Sequence, residues 1–590
     1  MTKERDLVTI LPAGKKVKSA RGEILADILV RAGVPLSLYC HKRGLCGKCL
    51  VKVVRGELAL PDDLERTLAC RLSWPAENRL ACRLIVESPI AIEIPERSLL
   101  REVPILETGT STDVLPEPAA RKYTVDGRTL PLDRAASYFD ALAAALGMKN
   151  LTSGGGVLAR LPGLAAGTFT AVVYDDRDLI DLEPGDTTDL CLGAAVDLGT
   201  STVVVDVVDL VSGRSLGRAS AVNSQASYGA DVVSRLTYAF ERPDHLQRLR
   251  RAITRQLAEL IREASGQAGD SSAGVRDIVV AGNTAMNHLF LGVAIESLAV
   301  LPFEAVFSCL KPLDAAATGL DLPAAAKLYV VPNIRSFIGG DITAGLAASS
   351  LAKRKGTWLF IDLGTNGEIV LKKGRELIAA STAAGPAFEG MNISCGMLAV
   401  GGAVDRVAWQ DGFVLSTVGD ETPRGLCGSG ILDVLALSLD HGLITQDGKV
   451  AGPARSLSVA PGIVLTQADV RNVQLAAAAV KSGVRMMLRE FRVRPNDLDG
   501  VLLAGAFGNS LNIGHAMRLG LIPVLPLDRV AFVGNSSLAG AKKLLLSAPA
   551  RAEAEDLVGR IRHYALAAEA RFQDEFIEAL EFKPDAGGGS

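Results

Sequence analysis

AVDLGTSTVVVDVV (Ala195–Val208) and IDLGTNGEIVL (Ile361–Leu371) are the two stretches whose reading decides the fold of this chain. Each runs an apolar strand into Asp-Leu-Gly-Thr and then into a second apolar strand, the pattern of a buried hairpin. In the first, the strand ends at Asp197, Gly199 permits a tight turn, and Thr200, Ser201 and Thr202 offer hydroxyls and backbone N–H groups. The second repeats this with Asp362, Gly364, Thr365, Asn366 and Gly367. Small residues are needed where the backbone itself approaches phosphate oxygens. An Asp at the strand end suits Mg²⁺ held through water, so Asp197 and Asp362 are the candidate magnesium residues. One such turn is a weak signal, because any hairpin can use it. Two copies, each flanked by apolar strands, point to a phosphate site.

Outward from these turns the pattern repeats. The first pass reads as strands at Ala194–Asp197, Val203–Asp209 and Gly217–Ala221, followed by helices near Ala230–Phe240 and Leu246–Ala264. The second reads as strands at Trp358–Asp362, Glu368–Lys372 and Leu377–Ser381, with helices near Gly430–His441 and Gln467–Arg492. A duplicated α/β unit with a nucleotide site in the cleft between its halves is the natural interpretation. GLCGSGILDVL (Gly425–Leu435) sets Gly428, Ser429 and Gly430 at a helix N-terminus, where free N–H groups favour anions. LLAGAFGNSLN (Leu502–Asn512) is a strand running into a Gly-flanked helix start, Gly505-Ala506-Phe507-Gly508. These features together resemble the superfamily of acetate and sugar kinases, heat-shock ATPase chaperones and actin. The resemblance implies ATP as the nucleotide and the Gly505–Gly508 segment as its adenosine-binding element. GGDITAG places Asp341 at a helix start facing the cleft, as base, metal partner or simple N-cap. Glu368 follows the second turn, placed to orient attacking water. Cys395 and Cys427 read as small buried residues, and the six histidines show no paired metal spacing.

The N-terminal region carries a different chemistry. Five residues separate Cys40 from Cys46 and two separate Cys46 from Cys49, on the loop CHKRGLCGKC; Cys82 follows in NRLACRL after 32 more. Four thiolates complete an iron–sulfur cluster. The spacing matches the plant- and adrenodoxin-like [2Fe–2S] ferredoxin pattern, a β-grasp fold, with one extra residue in the first gap relative to the plant type. A four-cysteine zinc site would more often show two CxxC pairs, and there is one. Cys70, in LACRL, is the rival fourth ligand; Cys82 is preferred because a C-terminal strand returning to the loop is the ferredoxin geometry. His41, Lys42 and Arg43 form a basic rim suited to an acidic electron donor.

At 590 residues the chain needs several cores. A net charge of −3 and 5% aromatics give no electrostatic or stacking reason to bind nucleic acid. The start, MTKERDLVTI, lacks an apolar signal region, no segment reads as a membrane span, and early-clustered cysteines suit a reducing compartment, so the cytoplasm is predicted. The expected domains are a ferredoxin-like unit (1–95), a linker (96–120), a middle domain (121–190), the ATPase (191–548) and a C-terminal helix with a tail (549–590).

The order ferredoxin, linker, small middle domain and duplicated kinase-like domain resembles the reductive activators of corrinoid-dependent enzymes. The segments carrying the likeness are CHKRGLCGKC with NRLAC, AVDLGTSTVVV, AGNTAMNHLFLG (Ala281–Gly292), IDLGTNGEI, AGPAFEGMNISCGM (Ala384–Met397), GLCGSGILD and LLAGAFGN. It implies a multidomain fold: an α+β β-grasp [2Fe–2S] ferredoxin, a small α/β middle domain, and a duplicated α/β ATPase of the RNase H-like, actin, heat-shock chaperone and sugar-kinase type. It further implies ATP-dependent return of cobalt(II) to cobalt(I) in a corrinoid protein of a methyltransferase system, with a low-potential ferredoxin or flavodoxin as donor and a homodimer through the middle domain. Glu389 and Ser394, in the small-residue loop 384–402, are the candidate contacts to that partner. Two other readings use the same motifs: an ATP-coupled electron donor like the activators of 2-hydroxyacyl-CoA dehydratases, and a small-molecule kinase with a redox-sensing ferredoxin. The first normally holds its cluster on cysteines of the kinase-like domain; here the candidate ligands lie apart from it.

Overall fold

A computed structural model describes residues 5–12, 14–19, 21–34, 36, 44, 47, 49–58, 60–72, 74–75, 77–95, 98, 115–133, 135–229, 231–267, 269, 274–322, 325–505 and 511–584. The chain divides into two compact units, Met1–Val103 with Val222–Leu249, and Pro104–Ala221 with Arg250–Ser590.

In the first unit, five strands form one sheet in the order Lys15–Ser19, Arg5–Leu11, Ile90–Glu93, Leu50–Arg55, Asn78–Leu80. The helix Leu25–Arg31 buries Leu25, Ala26, Ile28 and Leu29, and Gly33 closes it at a φ of +77°. Val8, Leu50, Val51, Leu80 and Ile92 complete a core that also takes in Cys49 and Cys82. A second helix, Asp63–Leu72, is tied to the sheet by the buried Glu65, which pairs with Arg79 and accepts from the Leu80 amide.

In the second unit, the strands Ala120–Asp126, Thr168–Tyr174, Asp178–Pro184 and Thr152–Ser153 form the middle-domain sheet, with the helix Tyr138–Leu146 among its neighbours. It is fastened to the ATPase through buried charges. Arg276, on strand Val275–Gly282, pairs with both Asp181 and Glu183, and Lys122 meets Glu183 at 2.7 Å. Of the predicted linker, only residues 98 and 115–120 are described, and Glu117 exchanges backbone hydrogen bonds with Leu546 and Ala548.

The rest of the second unit repeats one sheet plan twice. In the first half, Ser215–Val222, Thr202–Asp209 and Leu192–Leu198 lie side by side, and Val275–Gly282 and Lys327–Val330 follow parallel to the last of them. In the second, Glu376–Thr382, Gly367–Lys373 and Thr357–Leu363 form an antiparallel meander, followed in parallel by Gly500–Gly505 and Val530–Gly534. The C-terminal segment corrects an expectation. In place of the single C-terminal helix expected within 549–590, the helix Ala548–Arg560 ends at Ile561–His563, a short strand that pairs parallel to Leu377–Ala379. A helix, Phe572–Ala579, then packs against Gln467–Glu490. The buried Lys481 holds the segment by donating to the Glu581 and Lys583 carbonyls.

Each half ends its sheet by launching a helix, Gly340–Ser349 and Ser536–Leu546, and these two cross in direct contact. A Cβ on Gly540 would lie 1.9 Å from the Ala344 carbonyl oxygen, and one on Gly345 would lie 2.7 Å from the Ser536 hydroxyl. Gly540→Ala therefore forces the two backbones apart, with a loss of roughly 1–3 kcal/mol. Gly163→Ala, which meets nothing within 4 Å, changes stability by less than about 0.5 kcal/mol. Calorimetric unfolding of the full chain distinguishes the two.

Candidate nucleotide and iron–sulfur sites

The first turn, at the end of strand Leu192–Leu198, is tight: a Cβ on Gly199 would meet the Thr202 carbonyl oxygen at 2.6 Å. The Asp197 carboxylate is held from the other half, by Asn535 Nδ2 at 2.9 Å and by the Ser537 hydroxyl at 2.7 Å. Thr200 Oγ1 accepts from Asn283 Nδ2 at 2.9 Å, and Asn283 also caps the helix Thr284–Leu291. None of these three partners stands out in the sequence. A signal exists: strand, Gly, Asn and helix recur at Ala281–Thr284 and Gly534–Ser536.

The second turn is closed by the Gly364 amide donating to the Asn366 carbonyl at 3.0 Å. Asp362 stands directly opposite Glu368 across the hairpin, so two carboxyls are paired on neighbouring strands. Like charges so placed repel. Asp341 begins the helix Gly340–Ser349 and adds a third carboxyl to the group. Burial first, and then the neighbouring Asp197, push Asp341 up to about 7. Burial, with Asp341 and Asp197 beside it, does the same to Asp362. Glu368 is raised well above the usual carboxylate range by burial and by Asp341 and Asp362, against a hydrogen bond with Asn366. Burial raises Asp197 too, opposed by its bonds to Ser537 and Asn535. The cleft thus concentrates four carboxyls from both halves. Among the described residues, no three metal-ligating side chains converge to hold an ion directly.

Other predicted positions divide between binding and packing. The helix Gly428–Asp440 starts where expected, but a Cβ on Gly430 would lie 2.2 Å from the Val404 oxygen, so this glycine serves the approach of helix to strand. Gly367 likewise faces inward, with Thr382 Oγ1 and Val480 at 2.7 and 2.9 Å from a built Cβ. Ser429 is buried, its hydroxyl 3.3 Å from the Cys427 thiol, which also donates to the Val404 oxygen. Gly505 ends its strand at a φ of +112°, tight against the Leu363 oxygen. Ala506, Phe507 and Gly508 lie outside the described residues. Ser394 donates through its backbone N–H and hydroxyl to the buried Asp469, which forms a capping box with the N-cap Thr466 of helix Gln467–Glu490. Glu389 lies between the two Asp-Leu-Gly-Thr turns.

In the ferredoxin unit, Cys49 and Cys82 are both 2% exposed. The Ala81 amide donates to the Cys49 carbonyl at 2.9 Å, which brings Cys82, in the turn just after strand Asn78–Leu80, to the end of the cysteine loop. Gly44 and Gly47 of that loop adopt φ of +73° and +70°. A Cβ on Gly44 would touch the Arg83 side chain at 3.0 Å, and Arg83 pairs with Asp62. These two buried cysteines on hydrogen-bonded neighbouring backbone, with the left-handed glycines, fit an iron–sulfur cluster site. Cys40, His41, Lys42, Arg43 and Cys46 lie outside the described residues, and Cys70 lies on helix Asp63–Leu72.

A solved structure described as a reductive activator for corrinoid, iron–sulfur protein is 32% identical to this chain, covers 98% of both chains and superposes with a TM-score of 0.74. The chain belongs to the RACo family of corrinoid activation enzymes. Residues 8–87 match the 2Fe-2S iron-sulfur cluster binding domain, 192–354 the RACo middle region, and 356–586 the C-terminal domain of RACo, the ASKHA domain. The RACo middle region therefore corresponds to the first half of the duplicated ATPase, not to residues 121–190. The corrinoid activation enzyme RamQ of Eubacterium limosum is 29% identical over 95% of this chain and 97% of its own length. The [Co(II) methylated amine-specific corrinoid protein] reductase of Methanosarcina barkeri is 27% identical over 66% of this chain and 77% of its own length. Among the described residues, no helix is long and apolar enough to cross a membrane.

The carboxyl cluster gives a pH signature. Between the ordinary Asp value of 3.8 and about 7, the folded chain retains protons on Asp341 and Asp362 that the unfolded chain has released. Stability therefore falls as pH rises through that window, by on the order of 1 kcal/mol per retained proton for every step of one in pH. Without nucleotide, the melting temperature is expected to be higher at pH 6 than at pH 8, and Asp341→Asn to shrink that difference. A thermal melt across the pH series checks both.

Proposed function

We propose that this protein uses ATP in the acidic cleft to drive a single electron onto cobalt(II) of a corrinoid protein in a methyltransferase system, restoring cobalt(I). The observation that carries the reading is the union, in one chain, of a ferredoxin core with two buried cysteines on neighbouring backbone and a duplicated cleft where the aspartates of the paired Asp-Leu-Gly-Thr turns join Asp341 and Glu368. The names of the relatives supply the acceptor class, a corrinoid protein. Cys40, Cys46, Cys49 and Cys82 are the proposed ligands of a [2Fe–2S] cluster, which supplies one electron at low potential. A soluble ferredoxin or flavodoxin is the proposed source of that electron.

Plant-type clusters lie near about −400 mV, and cobalt(I) is expected to be harder to reach. A gap of about 200 mV for one electron costs roughly 4–5 kcal/mol. ATP can offset that only if its bound and hydrolysed states favour different affinities for the partner. The residues proposed to do so are those of the cleft. Thr200, Ser201, Thr202, Thr365 and the backbone at Gly199 and Gly364 receive phosphate; the helix start at Gly428 and the strand end at Gly505 flank the nucleotide. Asp197 and Asp362 are the residues that would hold Mg²⁺ through water, and a cation there would favour the ionised form of the neighbouring carboxyls. Glu368 and Asp341, once ionised, orient the water that attacks the terminal phosphate.

The deciding experiment is an anaerobic spectrum of a cobalt(II) corrinoid protein with this chain and a reductant. Cobalt(I) is expected to accumulate only with ATP; equal reduction without ATP refutes the coupling. Iron analysis tests the ligand set separately: Cys82→Ser is expected to lose most of its iron and acid-labile sulfide, and Cys70→Ser to keep both.

A further inference from the structure

Glu389 reaches both phosphate turns at once. The Ser201 hydroxyl, from the first half, donates to Oε2 at 2.9 Å, and the Thr365 hydroxyl, from the second half, donates to Oε1 at 2.6 Å. A serine or threonine hydroxyl has one proton to give. While Ser201 and Thr365 give theirs to Glu389, neither can donate to a phosphoryl oxygen. The carboxylate also repels any anion brought to the same turns. Glu389 and a nucleotide phosphate are therefore rivals for one pair of donors.

The setting of Glu389 lets that rivalry be felt elsewhere. It ends a short 3-10 turn, Pro386–Glu389, flanked by Gly385 and Gly390, each at a φ of +75°. A Cβ on Gly390 would lie 2.4 Å from the Met397 oxygen, so the segment folds back closely on itself. Its far end is stitched to the strand entering the Gly-rich helix start: Met397 N–H donates to the Leu426 oxygen and Leu426 N–H to the Cys395 oxygen, both at 2.9 Å. A displaced Glu389 carries the segment Pro386–Met397 with it, pulling on the element that leads to Gly428.

We propose that Glu389 is a nucleotide-sensing latch: its carboxylate ties the two halves together through Ser201 and Thr365, and the phosphates of ATP expel it, moving the segment Pro386–Met397. This deepens the nucleotide reading of the cleft and rests on it. The latch accounts for a carboxylate placed between two anion-binding turns, where a residue serving phosphate directly would be a donor.

The test uses the full chain and needs no corrinoid partner. Equilibrium binding of MgATP is measured for wild type, Glu389→Ala and Glu389→Gln, with amide hydrogen exchange across residues 384–402 with and without ATP. Removing the competitor raises the binding-competent fraction, so Glu389→Ala is expected to bind ATP roughly 5- to 20-fold more tightly. Glu389→Gln, which keeps the shape and loses the charge, is expected to tighten by a smaller factor. In wild type, exchange in 386–397 rises on adding ATP; in Glu389→Ala it is already high and ATP leaves it unchanged. Weaker or unaltered binding by both variants overturns the latch and makes Glu389 a binding or structural group. Exchange in wild type that does not respond to bound ATP overturns it as well. A wild-type chain that fails to bind ATP at all refutes the nucleotide reading together with the latch.

Discussion

The crossing of helices Gly340–Ser349 and Ser536–Leu546 is the constraint on which the site depends. Backbone meets backbone there, with Gly540 placed so that even a methyl group would overlap the Ala344 carbonyl. Packing that close admits no gradual sliding, because interiors are dense and deform in steps. The two helices also carry the chemistry at their starts. Asp341 opens one, and Asn535 and Ser537 at the start of the other hold Asp197. A shift at the crossing is thus a shift in how far the acid of one half stands from the turn of the other.

The carboxyl cluster stores electrostatic cost that the fold tolerates for function. Asp362 opposite Glu368 is a poor arrangement for a strand pair at neutral pH, and the first half avoids it by placing Val204 opposite Asp197. The asymmetry matters. Burial raises Asp197 but the Ser537 and Asn535 donors oppose it, whereas burial, Asp341 and Asp197 all act to raise Asp362. Two copies of one turn have acquired different electrostatic surroundings.

What is local and repeated can be read from the sequence. The turns at Asp197 and Asp362, the strands around them and the helix starting at Gly428 follow from hydrophobic period and turn chemistry within a dozen residues. Cys49 and Cys82 are legible because thiolate spacing is a strong signal on its own. Contacts that close across hundreds of residues are not: nothing near Asn535 or Ser537 indicates that their partner is Asp197. Glu389 reads from the sequence as a partner contact because it sits in a glycine-rich loop, and its two hydroxyl donors belong to segments remote in the chain. Gly367 and Gly430 show the converse, since a glycine in a phosphate-like context is also where a helix or side chain approaches closely. The strand Ile561–His563 escapes a sequence reading because three residues between helices carry no periodicity, and pairing with Leu377–Ala379 makes it a strand.

An ATP-coupled electron donor must convert phosphate chemistry into altered contact with another protein, and the conversion has to begin where nucleotide and protein compete for the same atoms. A site made only of donors would bind ATP well and change little, since a ligand that favours neither of two states shifts nothing. On the proposed reading, this cleft contains both kinds of opposition: carboxyls holding protons that a cation would replace, and a carboxylate holding hydroxyls that phosphate would replace. Each makes the nucleotide-free arrangement self-satisfied and therefore distinct from the bound one. On the latch reading, a weaker apparent affinity for ATP is the counterpart of coupling, because the free energy withheld from binding ATP is what remains to act on the partner.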